Sequence, residues 1–326
     1  MQRRRILLSG AAGLAGLAGS GLPLEAVAAD EPWPTKPVRL VIPFGAGGSS
    51  DVLGRMLGAH LQTVFGQPFI VDNRPGAGGV VGGQAVATAA PDGYTFLLGT
   101  NGPLVSARHA KTRPPYDPER AFAPVAMIAE VPTGVVAGPA APVRDMRQFL
   151  ASKGKSFAYA TPGPGTTGHI AGAWLGKRAG VDMVHVAYKS SGAATNDLIS
   201  GQLPLAVDSL ATYLPHVKAG SVKALAVMTR NRFPDLPDVP TLIELGAPLT
   251  LSLWWAMMAP AGTPAPIIER MNSELNAYIQ RPEVVTRFTT FAARPMGGPA
   301  SGMATFLNSE SRNWKQMLDE TGIEPA

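Results

Sequence analysis

The chain has 326 residues and no cysteine, which excludes disulfides, thiol nucleophiles and thiolate metal sites together. Its formal charge is +5, and three arginines and one glutamate of that balance fall in residues 1–29, leaving +3 on the remainder. That excess is too mild to point to nucleic acid, and no basic run is interleaved with aromatics.

Arg3-Arg4-Arg5 heads an apolar, small-residue run over 6–24, and Ala26-Val27-Ala28-Ala29 offers an A-x-A cleavage site. Residues 1–29 therefore read as a signal peptide; the arginines suit Sec export and also fit a loose twin-arginine (Tat) pattern. No later segment has the roughly 18 uninterrupted apolar residues of a membrane span. The remaining 297 residues are enough for two packed cores.

From there short apolar runs alternate with helical periods, the pattern of an α/β protein with mostly parallel sheets. Residues 38–43 predict a strand, and 51–65 a helix with Val52, Leu53, Met56, Leu57, Leu61, Val64 and Phe65 on its core face. A strand over 69–71 follows, then a helix reaching about 89, a Pro91-Asp92-Gly93 turn and a strand over 94–98. Strands are predicted over 125–130 and 133–137, a helix over 143–152, a strand over 157–160 and a helix over 168–179. Strands at 183–188 and 203–207 flank a helix over 193–201, and 223–229 is a further strand before a proline-rich link. Residues 251–259 return as a strand, with helices over 266–280 and 300–320 to finish. No short-period repeat is present. The expectation is two similar α/β lobes with a cleft between them.

Two stretches share one device: an apolar strand, a glycine-rich turn, then Ser or Thr opening a helix. One contains Gly47, Gly48, Ser49, Ser50 and Asp51; the other contains Gly163, Gly165, Thr166, Thr167 and His169. The first amides of a helix lack intrahelical acceptors and sit at the positive end of its dipole, so they attract anions. Glycine removes the Cβ that would hold a ligand away. Facing each other across a cleft, the turns form a clamp for a small carboxylate, without any Lys or Arg. A structural tight turn and a dinucleotide site are the competing readings of the first. Gly45-x-Gly47-x-x-Ser50 lacks the third fingerprint glycine, although Asp72 stands about 20 residues on.

Asp51 would repel an anion unless its side chain turns back to cap backbone amides, and a contact to a ligand ammonium or hydroxyl is the alternative. Asp208, at the end of a strand, either receives a ligand amine or hydroxyl or caps the helix from Ser209. The histidines at 60, 109, 169, 185 and 216 show no metal spacing. His60 reads as structural, while His169 either touches the ligand or serves the helix start. Trp254-Trp255 reads as core rather than a stacking platform. No cofactor is called for, and no nucleophile-and-base arrangement appears.

Several motifs together resemble the Bug family of periplasmic solute receptors, also called tripartite tricarboxylate transporter substrate-binding proteins. They are Pro37-Val38-Arg39-Leu40-Val41-Ile42-Pro43-Phe44 with Gly47-Gly48-Ser49-Ser50-Asp51, then Val71-Asp72-Asn73-Arg74-Pro75-Gly76-Ala77-Gly78-Gly79 and Pro91-Asp92-Gly93-Tyr94. Further on come Pro115-Tyr116-Asp117-Pro118, Leu236-Pro237-Asp238-Val239-Pro240-Thr241 and Ala259-Pro260-Ala261-Gly262-Thr263-Pro264. The resemblance implies a two-lobed Venus-flytrap fold, each lobe a mostly parallel sheet flanked by helices, with a carboxylated solute held by the two turns. It implies that Thr100, Asn101 and Asp208 also line the cleft. This chain departs from the family pattern after Gly99-Thr100 and at Pro164, both on the specificity side.

The expected organisation is a signal peptide over 1–29, lobe 1 over 30–131 and 250–326, and lobe 2 over 132–249. The expected function is a monomeric, non-catalytic periplasmic receptor for a small carboxylate. Its partners would be transporter membrane subunits or a sensor kinase. A secreted α/β enzyme acting on a carboxylated or nucleotide substrate is the alternative.

Overall fold

The computed structural model describes residues 33–323; the signal peptide read over 1–29 lies outside them. β1 (Val38–Ile42) is buried except for Arg39 and feeds α1 (Ser49–Phe65). Leu53, Leu57 and Leu61, one turn apart, form the buried stripe of α1, while Val52 and Val64 are exposed and do not belong to it. Gly54 and Gly58 bring the helix down onto the sheet: a Cβ on Gly54 would collide with Ile42, and one on Gly58 would lie 3.2 Å from the Phe69 carbonyl.

β2 (Phe69–Asn73), α2 (Val80–Ala87) and β3 (Thr95–Gly99) follow, and β2 and β3 both pair with β1 in parallel. α3 (Asn101–Leu104) is a single turn, after which the chain enters β4 (Phe122–Ala137). The next unit repeats the plan with α4 (Met146–Leu150), β5 (Ser156–Thr161), α5 (Thr167–Ala179), β6 (Asp182–Ala187) and α6 (Ser191–Ile199). It continues with β7 (Leu205–Ser209), α7 (Leu210–Lys218) and β8 (Lys223–Val227); β5 pairs with both β6 and β7 in parallel. β9 (Ser252–Pro260), α8 (Ala265–Ile279), α9 (Pro282–Thr289), β10 (Arg294–Pro295) and α10 (Ala300–Thr321) complete it. No helix among the described residues is long and apolar enough to cross a membrane.

The sheet order is β2-β1-β3-β9-β4-β7-β5-β6, with β8 and β10 added on β4. Each lobe therefore has a parallel α/β core, and every antiparallel pair involves β4 or β9. The strands expected at 125–130 and 133–137 are one continuous strand. Pro132 suggests a break because it has no N–H for a ladder. It is accommodated because β4 changes partner there: Phe122 to Pro132 pair with β9, whereas Thr133 to Ala137 pair with β7.

Trp254 and Trp255 are almost completely buried within β9 and belong to the core. Each removes about 200 Å² from water, worth roughly 5 kcal/mol. α9 is not legible in the sequence because its inward side is only Val284 and Phe288, opened by Pro282.

Candidate functional site

The starts of four helices converge where the two lobes meet. α1 brings Gly48, Ser49 and Ser50, α5 brings Thr166 and Thr167, α6 brings Ser190 and Ser191, and Asp208 precedes α7; all line one small cavity. Thr100, Gly102, Phe44, Pro162 and Leu253 complete the wall, with no Lys or Arg. In each helix the strand-to-helix turn leaves the first amides without intrahelical acceptors.

The lobes are shut over this cavity. Gly45 N–H donates to the Lys189 carbonyl across the cleft at 2.8 Å. The backbone of Gly78 lies so close to Pro164 that any Cβ would strike its carbonyl oxygen, and a Cβ on Gly192 would likewise strike the Gly47 carbonyl. The free space is about 20 Å³, room for a single water. Solute pockets usually measure about 300–1,000 Å³, so the lobes must part to admit a solute.

Asp51 points back: its Oδ2 accepts from Gly47 N–H at 3.0 Å and from Arg55 Nε at 3.1 Å. Burial pushes its carboxyl up, but the Arg55 and Gly47 hydrogen bonds outweigh that and hold it below the usual range. It shapes the first turn and does not line the cavity. Ser50 is bound from behind, its Oγ accepting from Trp255 Nε1 at 2.8 Å.

The second turn is held by its own hydroxyls. Thr161 Oγ1 accepts from Gly163 N–H at 3.1 Å, and Thr166 Oγ1 donates to the Gly163 carbonyl at 2.6 Å. His169 Nδ1 accepts the Gly165 N–H at 3.1 Å, which requires that nitrogen to be unprotonated. Its ring stacks on His185 at 4.0 Å, and burial lowers both imidazoles to about 4. Gly163, Gly165 and His169 thus form the frame of the jaw rather than its lining.

Asp208 is buried; Oδ1 accepts the Ser209 N–H at 2.7 Å, and Oδ2 makes no hydrogen bond. Desolvation raises its carboxyl to about 6; the Ser209 amide and the neighbouring Ser191 hydroxyl, which makes no hydrogen bond to Oδ2 here, offset only part of that. Thr167 Oγ1, also on the cavity wall, is likewise buried without a partner. Buried polar atoms are normally satisfied; among the described atoms left without a partner, these two belong to residues of the cavity wall.

Asn101 is turned away from the cavity. Its side chain lies between the Ser252 carbonyl and Glu310, and Trp254 N–H donates to its Oδ1 at 3.4 Å. Ser190 and Ser191 do line the cavity but are not among the residues expected from sequence. Their signal was a strand followed by Ser-Ser opening a helix, the same device without a glycine ahead of it. His60 is structural, stacked on Tyr278 at 3.8 Å. A larger groove, about 850 Å³, lies between α10 and the 228–234 segment, and no helix start is among its lining residues.

The family model described as tripartite tricarboxylate transporter family receptor matches residues 53–323. Protein BugT of Bordetella pertussis is 33% identical over 312 residues, covering 94% of each chain. The solved structure of R. palustris Rpa4515 with adipate superposes with a TM-score of 0.86 at 32% identity, over 90% of this chain and all of that one. MatC from Rhodopseudomonas palustris with bound malate gives 0.82 at 29% identity, over 88% of this chain and all of that one. The strand–turn–helix cleft and the matched sequence lead to one conclusion: this chain belongs to the Bug, or tripartite tricarboxylate transporter, receptor family.

Proposed function

We propose that the protein is a periplasmic, non-catalytic receptor that closes on a small carboxylate and presents it to transporter membrane subunits or to a sensor kinase. The observation that carries this reading is the convergence of helix starts from both lobes on one cavity free of Lys and Arg. Each hydrogen bond to a charged group contributes roughly 1.5–3 kcal/mol, while stripping water from a carboxylate costs several, so donors from both jaws are needed. Only closure supplies them together, and that couples binding to a change of shape a membrane partner can read.

Asp208 and Thr167 take the part of the solute away from that carboxylate. A charged Asp208 accepts from a hydroxyl or ammonium; a protonated one donates to a second carboxylate. The adipate and malate of the related structures each carry two carboxylates, and malate adds a hydroxyl. Binding a dicarboxylate beside Asp208 would then take up a proton near pH 7, measurable by calorimetry in buffers of different ionisation heat.

The deciding experiment is a thermal-shift screen against mono-, di- and tricarboxylates, amino acids and aromatic acids, with the stabilising compound then assayed for turnover. A ligand-dependent rise in Tm without turnover is expected. Conversion of the compound by the pure protein would overturn the receptor reading in favour of an enzyme.

A further inference from the structure

Glu310 sits on α10, far from both jaws in sequence, yet it is hydrogen-bonded to residues adjoining those that wall the solute cavity. Its Oε2 accepts from Trp254 Nε1 at 2.8 Å and from Asn101 Nδ2 at 3.4 Å. Trp254 and Asn101 are themselves joined, since the Trp254 N–H donates to Asn101 Oδ1. Asn101 stands between Thr100 and Gly102 in the chain, and Leu253 stands between Ser252 and Trp254; Thr100, Gly102 and Leu253 all line the cavity. The three-residue ring of Glu310, Asn101 and Trp254 therefore clasps the lobe 1 wall from behind.

We propose that Glu310 is a positioning residue for the solute cavity: through Asn101 and Trp254 it sets the Thr100–Gly102 turn and Leu253, so solute affinity depends on a residue that touches no solute. The proposal rests on the receptor reading above for the word solute, and on geometry alone for the link between Glu310 and the wall.

A scaffold role for α10 does not require a carboxylate at this position. Met303, Leu307, Trp314, Met317 and Leu318 already anchor the helix. A half-buried acid costs stability unless it is paired or hydrogen-bonded. Burial raises the Glu310 carboxyl, Trp254 and Asn313 pull it back down, and Glu130 on β4 pushes it up again. Arg294 is the cross-strand neighbour of Glu130, and Arg230 and Glu320 line the same groove beside α10. Keeping an acid among these groups is explained if its two accepted hydrogen bonds fix the orientation of the Asn101 amide, and with it the turn.

The test compares Glu310→Gln and Glu310→Ala in the otherwise unaltered protein, with adipate and malate as probes. Affinity is expected to fall about 3- to 30-fold in both, the range of coupling through a contact network, with Gln closer to the parent. The parent's affinity should change with pH as Glu310 titrates, and subtracting the Gln variant's profile isolates that component from Asp208. The ligand-free protein gives a second readout. The Trp254 indole N–H resonance, assigned with Trp254→Phe, should titrate above the usual glutamate range and cease to do so in Glu310→Gln. The Thr100 and Gly102 amide resonances should move with it.

If the parent binds a probe and both variants bind it equally, Glu310 has no positioning role and the receptor reading stands. If the parent binds neither probe, the receptor reading is weakened, and the amide resonances decide Glu310 alone: unmoved Thr100 and Gly102 signals in Glu310→Gln overturn the proposal. Should Glu310→Ala fail to fold, the Gln variant carries every readout.

Discussion

Gly192→Ala separates closure from folding. Gly192 lies in the first turn of α6, where alanine suits the helix better than glycine by at most about 1 kcal/mol. Across the cleft, however, its Cβ would lie 2.5 Å from the Gly47 carbonyl oxygen and 2.8 Å from the carbonyl carbon. An ordinary contact begins near 3.4 Å, so the jaws must stand nearly 1 Å further apart or strain the Gly47 turn. Overpacking of this size costs about 1–3 kcal/mol, and each 1.4 kcal/mol is tenfold in Kd. We expect affinity for adipate, malate or the best stabiliser of the carboxylate screen to fall about 5- to 150-fold by calorimetry. The ligand-free Tm should hold or rise, because the open form has no clash. Small-angle scattering with ligand should show a less closed variant. Unchanged affinity in a normally folded variant would refute the view that this lip seals over the solute.

Other expected outcomes follow from the buried groups. Asp208 has its folded pKa raised from 3.8 to about 6, so it favours the fold below pH 3.8 and that contribution is lost as pH rises through 6. The full cost is about 3 kcal/mol. Asp208→Asn should match the parent near pH 4 and melt roughly 5 °C or more higher at pH 8; an equal Tm at both would dismiss the burial argument. His169 and His185 have the opposite sign. Their pKa values fall from 6.5 to about 4, so the stability they give is whole above pH 6.5 and lost on acidification toward 4. His185→Phe should flatten that acid loss in a pH series of Tm, and an unchanged slope would remove the stacked pair as its source. Ser50→Ala strands the buried Trp255 indole N–H at a cost of about 1–3 kcal/mol. In a denaturant double-mutant cycle the cost of Ser50→Ala should largely vanish in the Trp255→Phe background; simple additivity would argue against the bond.

The parts of the site legible in the sequence were those made by local rules. Strand, glycine turn and Ser or Thr helix start occur within 12 residues at 40–51 and within 13 at 157–169, and the structure carries both as helix starts at one cleft. The α6 start escaped because Ser190 needs no glycine before it, its own hydroxyl capping Ala193 N–H. Asn101 shows the limit of local reading. Its position beside Thr100 suggests a cleft residue, but its side chain answers to Glu310, 209 residues away. Likewise Pro132 hides the continuity of β4, which only the change of partner from β9 to β7 makes sense of.

The place of β9 carries a consequence for how the chain is made. It lies between β3 and β4, pairing with both, yet it begins at residue 252. Until that segment emerges, the lobe 1 sheet has an open seam down its middle, flanked by the unpaired rims of two apolar strands. Lobe 2 has all of its strands by Val227 and can complete its sheet first. Joining such distant segments is slow, and exposed rims invite association. Chains shortened before residue 252 should therefore aggregate through lobe 1, and a chaperone that shields this seam would be most useful between the emergence of β4 and that of β9.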